Sequence, residues 1–358
     1  MAEPAEWPAS GPGSPGDRYP QLLRSERARW WLPLLGLLLA GTVLVLGAVV
    51  LVIAAYVLAA ATGQSQDAFS DDALRADSVV GLLTNNLVIA LMIPASLLAV
   101  LAVHRERVGL LAAVTGRPRW GLLGRLLGVA FVVVLVFFGV GFLLPGSGVA
   151  EGDAPSTVTL VGLLLVVLVT TPLQACAEEV GFRGYLSQAV ASWFARPVVG
   201  TLVAGTVSAV LFALAHGLQD AWLFGDRLAF GVVASWLAWR TGGLEAPVAL
   251  HVANNIVSLA YSAATGSLEA SLLASTLDWQ FAVLDVVMMV TFAAVVVRLV
   301  RGSDLAVRRV RPVPNAPVDP LDAAGAPGAL SGPGPVGYPF PSTSSPPPAG
   351  GENPWGMG

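Results

Sequence analysis

The chain contains no lysine and a single cysteine, Cys176. One cysteine excludes an intramolecular disulfide and any thiolate metal site. Every basic residue is therefore an arginine, and beside abundant Ala, Gly, Val and Leu this is a GC-rich, bacterial-type coding bias. Charge is scarce: 12% of residues are charged, and the net charge of −4 excludes a general affinity for nucleic acid. No run of alternating polar and apolar residues suggests a membrane barrel. The His-Glu-x-x-His signature of soluble zinc proteases is absent. No internal repeat of the kind that marks many transporters is visible.

What the chain has in excess is apolar length. It is 55% hydrophobic, with a mean hydropathy of +0.73. Several runs exceed the roughly 20 residues needed to cross the hydrocarbon core of a bilayer. The expected fold is an all-α polytopic membrane protein, a bundle of about eight transmembrane helices with disordered cytoplasmic tails. The spans read as 31–61, 79–103, 123–144, 158–186, 198–217, 221–240, 246–265 and 279–300. The stretch Leu186–Pro197 is too mixed to span; it reads as an interfacial helix or the end of span four.

The loops alternate in charge. Arg105, Arg107, Arg117, Arg119 and Arg125 lie between spans two and three, Arg183 and Arg196 follow span four, Arg240 follows span six, and Arg298, Arg301, Arg308, Arg309 and Arg311 follow span eight. The intervening loops carry Asp67, Asp71, Asp72 and Asp77, then Glu151 and Asp153, then Asp220 and Asp226, then Glu269 and Asp278. The positive-inside rule then puts both termini in the cytoplasm. Residues 1–29 and 312–358, rich in Pro, Gly and Ser, read as disordered tails flanking a transmembrane domain of residues 30–311.

Against this apolar background six polar residues stand out: Glu178, Glu179, Arg183, His216, His251 and Asn255. An ionisable group inside a membrane span is costly and marks a functional site by default. Glu179 and Arg183 are four apart, on one helix face, in the favourable order. Glu178 points about 100° away and keeps a carboxylate that can serve as a general base. The bland reading is a salt bridge locking two helices. His216, with Phe212 one turn earlier, is a proton relay or a satisfied core histidine. His251 and Asn255 share a face and can act as two oxyanion donors, as a ligand and a bystander, or as interhelical polar glue. Asp285 has no evident partner, Asn85 and Asn86 read as interfacial, and His104 reads as a loop residue.

The three motifs in this order resemble the CAAX protease and bacteriocin-processing enzyme family, which includes the Ras-converting type of CAAX prenyl endopeptidase. The family's Glu-Glu-x-x-x-Arg, Phe-x-x-x-His and His-x-x-x-Asn correspond to Glu178 to Arg183, Phe212 to His216 and His251 to Asn255. The match covers residues 158–265. The resemblance implies an intramembrane endopeptidase acting on a membrane-associated protein or peptide. By position, Glu178 and His216 would hold and activate a water, His251 and Asn255 would stabilise the oxyanion, and Glu179 and Arg183 would position Glu178. A metal-free site is the preferred expectation. The alternative is zinc held by Glu178, His216 and His251. A proton-coupled carrier and a non-catalytic immunity or scaffold protein are the competing classes.

The catalytic reading carries a geometric demand. If span four ended near Arg183, Glu178 would lie over 20 Å from His216 at about 1.5 Å per residue. The two meet only if the fourth helix runs on to about Trp193, or bends, with Pro172 as one place to do so.

Overall fold

The computed structural model describes residues 17–25, 27–63, 65–75, 77–146 and 153–309. Eight long helices dominate: α1 Leu32–Ala61, α2 Val79–His104, α3 Trp120–Gly141, α4 Thr157–Ala191, α5 Pro197–Leu214, α6 Ala221–Thr241, α7 Glu245–Ala264 and α8 Trp279–Val300. Six of them are long and apolar enough to cross a membrane. The other two, α6 and α7, have 21 and 20 residues and carry Asp226, Arg227, Glu245 and His251. Their length matches a hydrocarbon core, and Glu245 and His251 are buried inside the bundle. The chain is thus an all-α, multi-pass membrane protein.

Local sequence explains the helix ends. Ser78 accepts a hydrogen bond from the Gly81 amide at the start of α2, and Asp220 accepts one from Leu223 at the start of α6. These are N-cap contacts that satisfy otherwise orphaned amides. Gly242, at φ 71°, ends α6 in the left-handed conformation that glycine adopts without penalty.

Packing between helices depends on small residues, because lipid gives apolar side chains no incentive to leave it. α7 is the central helix, and its Ala246, Ala249, Leu250 and Ala253 are completely buried. α3, α6 and α8 surround it with Leu126, Ala130, Leu237 and Phe292. α5 and α6 touch at Gly231, where an added Cβ would stand 2.6 Å from the Ala209 Cα. By contrast α1 leaves Leu38, Val45, Leu46, Val50 and Leu58 exposed, a surface suited to lipid.

α4 settles the geometric demand. It runs unbroken for 35 residues, with a π-helical segment at Val180–Leu186 between α-helical Thr157–Glu179 and Ser187–Ala191. The first half of Leu186–Pro197 is therefore the end of the fourth span, and Pro197 opens α5. α2 ends in a second π segment, Ala99–His104, closed by Arg105 at φ 53°. His104 is not a loop residue: it is buried, with Nε2 3.2 Å from the Tyr185 hydroxyl of the α4 π segment. Asn86 is likewise buried, donating to Thr170 and Thr171 of α4.

The reading of residues 1–29 as a disordered tail is corrected for residues 17–24. Asp17–Arg18 pairs antiparallel with Arg308–Arg309. Tyr19, Leu22 and Leu23 are buried, and the Tyr19 hydroxyl donates to the Leu111 carbonyl. Gln21 donates to the Pro197 carbonyl and to Thr201, and Arg24 to the Ser192 carbonyl. Three apolar side chains in seven residues give this short strap enough to bury, despite its Pro- and Gly-rich surroundings. Residues 1–16 and 310–358, which include all of the second expected tail, lie outside the described residues.

Candidate active site

Glu178 and Glu179 are the last two α-helical residues of α4 before the π segment. A π turn widens the helix locally and is frequent at functional sites. Here Ser208 of α5 donates to the Phe182 carbonyl inside the wide turn, at 3.0 Å. Gly181 lets α2 come close: a Cβ there would meet the Met92 Cε at 2.2 Å.

Glu179 is completely buried and its Oε1 receives two hydrogen bonds. Arg183 Nη1 donates at 2.8 Å, and His251 Nδ1 lies at 2.8 Å. The other ring nitrogen of His251, Nε2, stands 3.2 Å from Glu178 Oε2. The Glu179 contact is a hydrogen bond, whereas the Glu178 contact is an ion-pair approach without hydrogen-bond alignment; together they favour a ring that carries both N–H groups. With two donors, the two carboxylates, the guanidinium and the imidazolium sum to zero charge. That balance suits a group so deeply buried.

The rest of Arg183 has no hydrogen-bond partner at Nε or Nη2 among the described residues. Its guanidinium lies 4.2 Å from the Phe212 ring centroid and 5.5 Å from that of Phe230. Aromatic faces thus take up the part of the cation that the carboxylates leave, as in cation–π pairs. Phe230 also packs edge-on against His251 at 4.8 Å. Nothing in the spacing of α6 singles out Phe230, and sequence reasoning missed it.

His216 lies two residues beyond the end of α5. Its Nδ1 is 2.8 Å from the Phe212 carbonyl, so Nδ1–H donates there and Nε2 is left as the ring's acceptor. The Phe212 ring stands between the two histidines, 4.7 Å from His216 and 5.9 Å from His251. Glu178 and His216 lie within electrostatic reach of one another. Because α4 continues to Ala191, Glu178 sits about 20 Å from the α4–α5 connection and His216 about 28 Å, by helix rise. The offset along the bundle is far smaller than a short fourth helix would impose.

Asn255 does not join His251 on one target. Its Nδ2 donates to Gln174 Oε1 at 3.3 Å. Gln174 is one turn before Glu178 on α4, and Asn255 one turn after His251 on α7. The two helices run antiparallel and meet in two rungs, Glu178 with His251 and Gln174 with Asn255. The expectation that Glu179 and Arg183 position Glu178 also changes: the group that Glu179 holds is His251. Spacing alone places residues on one face but says nothing of what the opposite helix offers them.

A second buried ionic contact was also missed. Glu245, at the start of α7, pairs with Arg119 at 2.5 Å. Arg119 further donates to the carbonyls of Thr241 and Ala306. This clamp fixes the end of α7 six residues before His251.

A catalytic zinc keeps three protein ligands and an open position. Among the described residues no three His, Cys, Asp or Glu side chains gather into such a set. Glu178 and His251 offer two, and His251 already faces a carboxylate on each side. As arranged, these donors do not fit zinc.

The comparisons with known proteins fall on the same helices. Residues 159–257 match the family described as type II CAAX prenyl endopeptidase Rce1-like. An uncharacterised protein of Bacillus subtilis (strain 168), YyaK, is 24% identical over 188 residues, which are 52% of this chain and 62% of that protein. The chain thus matches less than two thirds of that relative's length. No solved structure matches the chain. The matched segment holds α4 from its first turn through the first two thirds of α7, and with it all six polar residues. Over residues 159–257, then, this multi-pass membrane protein is similar to the type II CAAX prenyl endopeptidase Rce1-like family.

Proposed function

We propose that the protein is an intramembrane endopeptidase that hydrolyses peptide bonds of a membrane-associated protein or peptide, with Glu178 as the general base. The observation that carries the reading is the contact of Glu178 Oε2 with His251 Nε2, 3.2 Å apart inside the bundle. A water beside this pair, hydrogen-bonded to the Glu178 carboxylate, can lose its proton to it as it attacks a carbonyl. His216, whose Nε2 remains an acceptor, is the second group that orients this water. Glu179, held by Arg183, fixes the His251 ring. As the tetrahedral oxyanion develops, His251 turns its N–H from Glu178 to the new charge, and Asn255 turns its amide from Gln174. Both donors are then aimed at charge that exists only along the reaction path, and as the intermediate collapses the C–N bond breaks while Glu178 returns its proton to the leaving amine.

Both termini lie on the cytoplasmic side in this proposal, as the arginine asymmetry of the loops supports. The reading favours a site without metal, since the donors present do not make a zinc set. A carrier or a scaffold has no need of Glu178, Glu179, Arg183 and His251 tied into one buried network. The test is a cleavage assay with purified full-length protein in bilayers and a panel of membrane-anchored peptides. Heavy-oxygen water marks the new carboxyl terminus. Label in a product made by wild type and absent with Glu178→Ala supports hydrolysis at this site. Unlabelled product, or equal product from both proteins, contradicts it.

A further inference from the structure

Arg227 is a cation beside the candidate active site that the mechanism does not use. It lies in the second turn of α6, three residues before Phe230 and on the same helix face. Phe230 packs edge-on against His251 at 4.8 Å and stacks on Phe212 at 5.4 Å. Arg227 therefore stands one turn from the ring that covers His251, toward the start of α6. Its Nη1 donates to the His216 carbonyl at 3.5 Å. His216 is exposed and Arg227 half-buried, so the two flank an opening and not a closed core.

The long bond to His216 uses one of several N–H donors on the guanidinium. Among the described residues Arg227 forms no ion pair. Its chain neighbour Asp226 does not answer it: Asp226 Oδ1 is buried and has no hydrogen-bond partner. Glu178, Glu179, Arg183 and the imidazolium form of His251 already balance one another. A cation inside a membrane span is costly unless an opposite charge meets it. The group that a guanidinium fork meets best, through two parallel N–H···O bonds, is a carboxylate.

We propose that Arg227 binds a carboxylate of the substrate, at a subsite a few residues from the bond that is cut. The inference deepens the peptidase reading and rests on it: Arg227 selects the peptide, while Glu178 and His251 act on it. An acidic side chain and a free chain end present the same two oxygens to the fork, and both are admitted.

The test uses full-length protein in bilayers with membrane-anchored peptides that differ in one group. One pair carries Glu or Gln near the cut; the other ends in a free carboxylate or an amide. Wild type is expected to cut the carboxylate-bearing member of one pair about tenfold faster, as a charge-assisted hydrogen bond allows. The first pair identifies a side chain as the source, the second a chain end. R227Q removes the preference, R227K keeps most of it, and R227E shifts it toward a peptide with Lys in that place. Binding of the same peptides to Glu178→Gln protein, with and without R227Q, measures the preference independently of cleavage. A binding preference that R227Q removes, with no peptide cut by wild type, supports the subsite and contradicts the peptidase. No preference in wild type for either pair, or a preference that survives in R227Q, overturns the subsite.

Discussion

Glu179 and His251 are joined by a 2.8 Å contact between Oε1 and Nδ1, and the same oxygen accepts from Arg183. One buried carboxylate thus holds the imidazole of α7 and the guanidinium of its own helix. Truncating it leaves both without their acceptor. Glu179→Ala is expected to lower bundle stability by about 3–5 kcal/mol, the usual cost of orphaning a buried charge. Glu179→Leu combined with Arg183→Met removes both charges and recovers most of that loss without recovering cleavage. Reversible unfolding in mixed micelles measures the first effect, and the cleavage assay the second.

Asn255 supplies one of the two donors proposed for the oxyanion. Asn255→Ala should slow cleavage by about 10²–10³, as loss of a single such donor does. Gln174→Ala frees the Asn255 amide without deleting it, and should cost much less. Single-turnover rates on one peptide compare the two. Equal losses would mean that the pair serves packing.

The close approach of α5 and α6 should be intolerant of any side chain at Gly231. A Cβ there meets the Ala209 backbone rather than a flexible side-chain end. Gly231→Ala is expected to destabilise the bundle by roughly 1–3 kcal/mol, as overpacking does, while Gly225→Ala, which meets nothing, is expected to be neutral. Thermal unfolding in detergent separates them.

The arginine pattern predicts the sidedness of the chain. A reporter fused near Asp71 should signal from outside and one fused after Arg311 from inside. An outside signal from the second fusion reverses the topology.

Much of this was legible in the sequence. Apolar runs of bilayer length set the helices, and Glu178, Glu179, Arg183, His216, His251 and Asn255 stood out because polarity is expensive there. The need for a long fourth helix followed from helix rise alone, and α4 meets it by 35 continuous residues. What the sequence hid was pairing across helices. Gln174 lies one turn before Glu178 and Phe230 on another span, and nothing in the sequence says that Gln174 meets Asn255 or that Phe230 meets His251. Arg119 and Glu245 are far apart in the chain and each reads as an ordinary loop or cap charge. The buried strap at residues 17–24 was masked by its Pro- and Gly-rich context, since composition averages over a window and burial depends on single side chains such as Tyr19 and Leu22.

The donor set predicts how cleavage responds to metal removal. A strong chelator should leave the rate unchanged, because Glu178 and His251 provide two ligands where zinc needs three. Activity lost to the chelator and restored by Zn²⁺ would move the mechanism to a metal.

The central claim is that Glu178 takes the proton of the attacking water, and Glu178→Gln tests it most directly. The substitution keeps the size of the side chain and removes the base. Cleavage of a peptide that wild type cuts should disappear, while helix content and unfolding temperature stay near those of wild type. Full activity in Glu178→Gln would contradict the account.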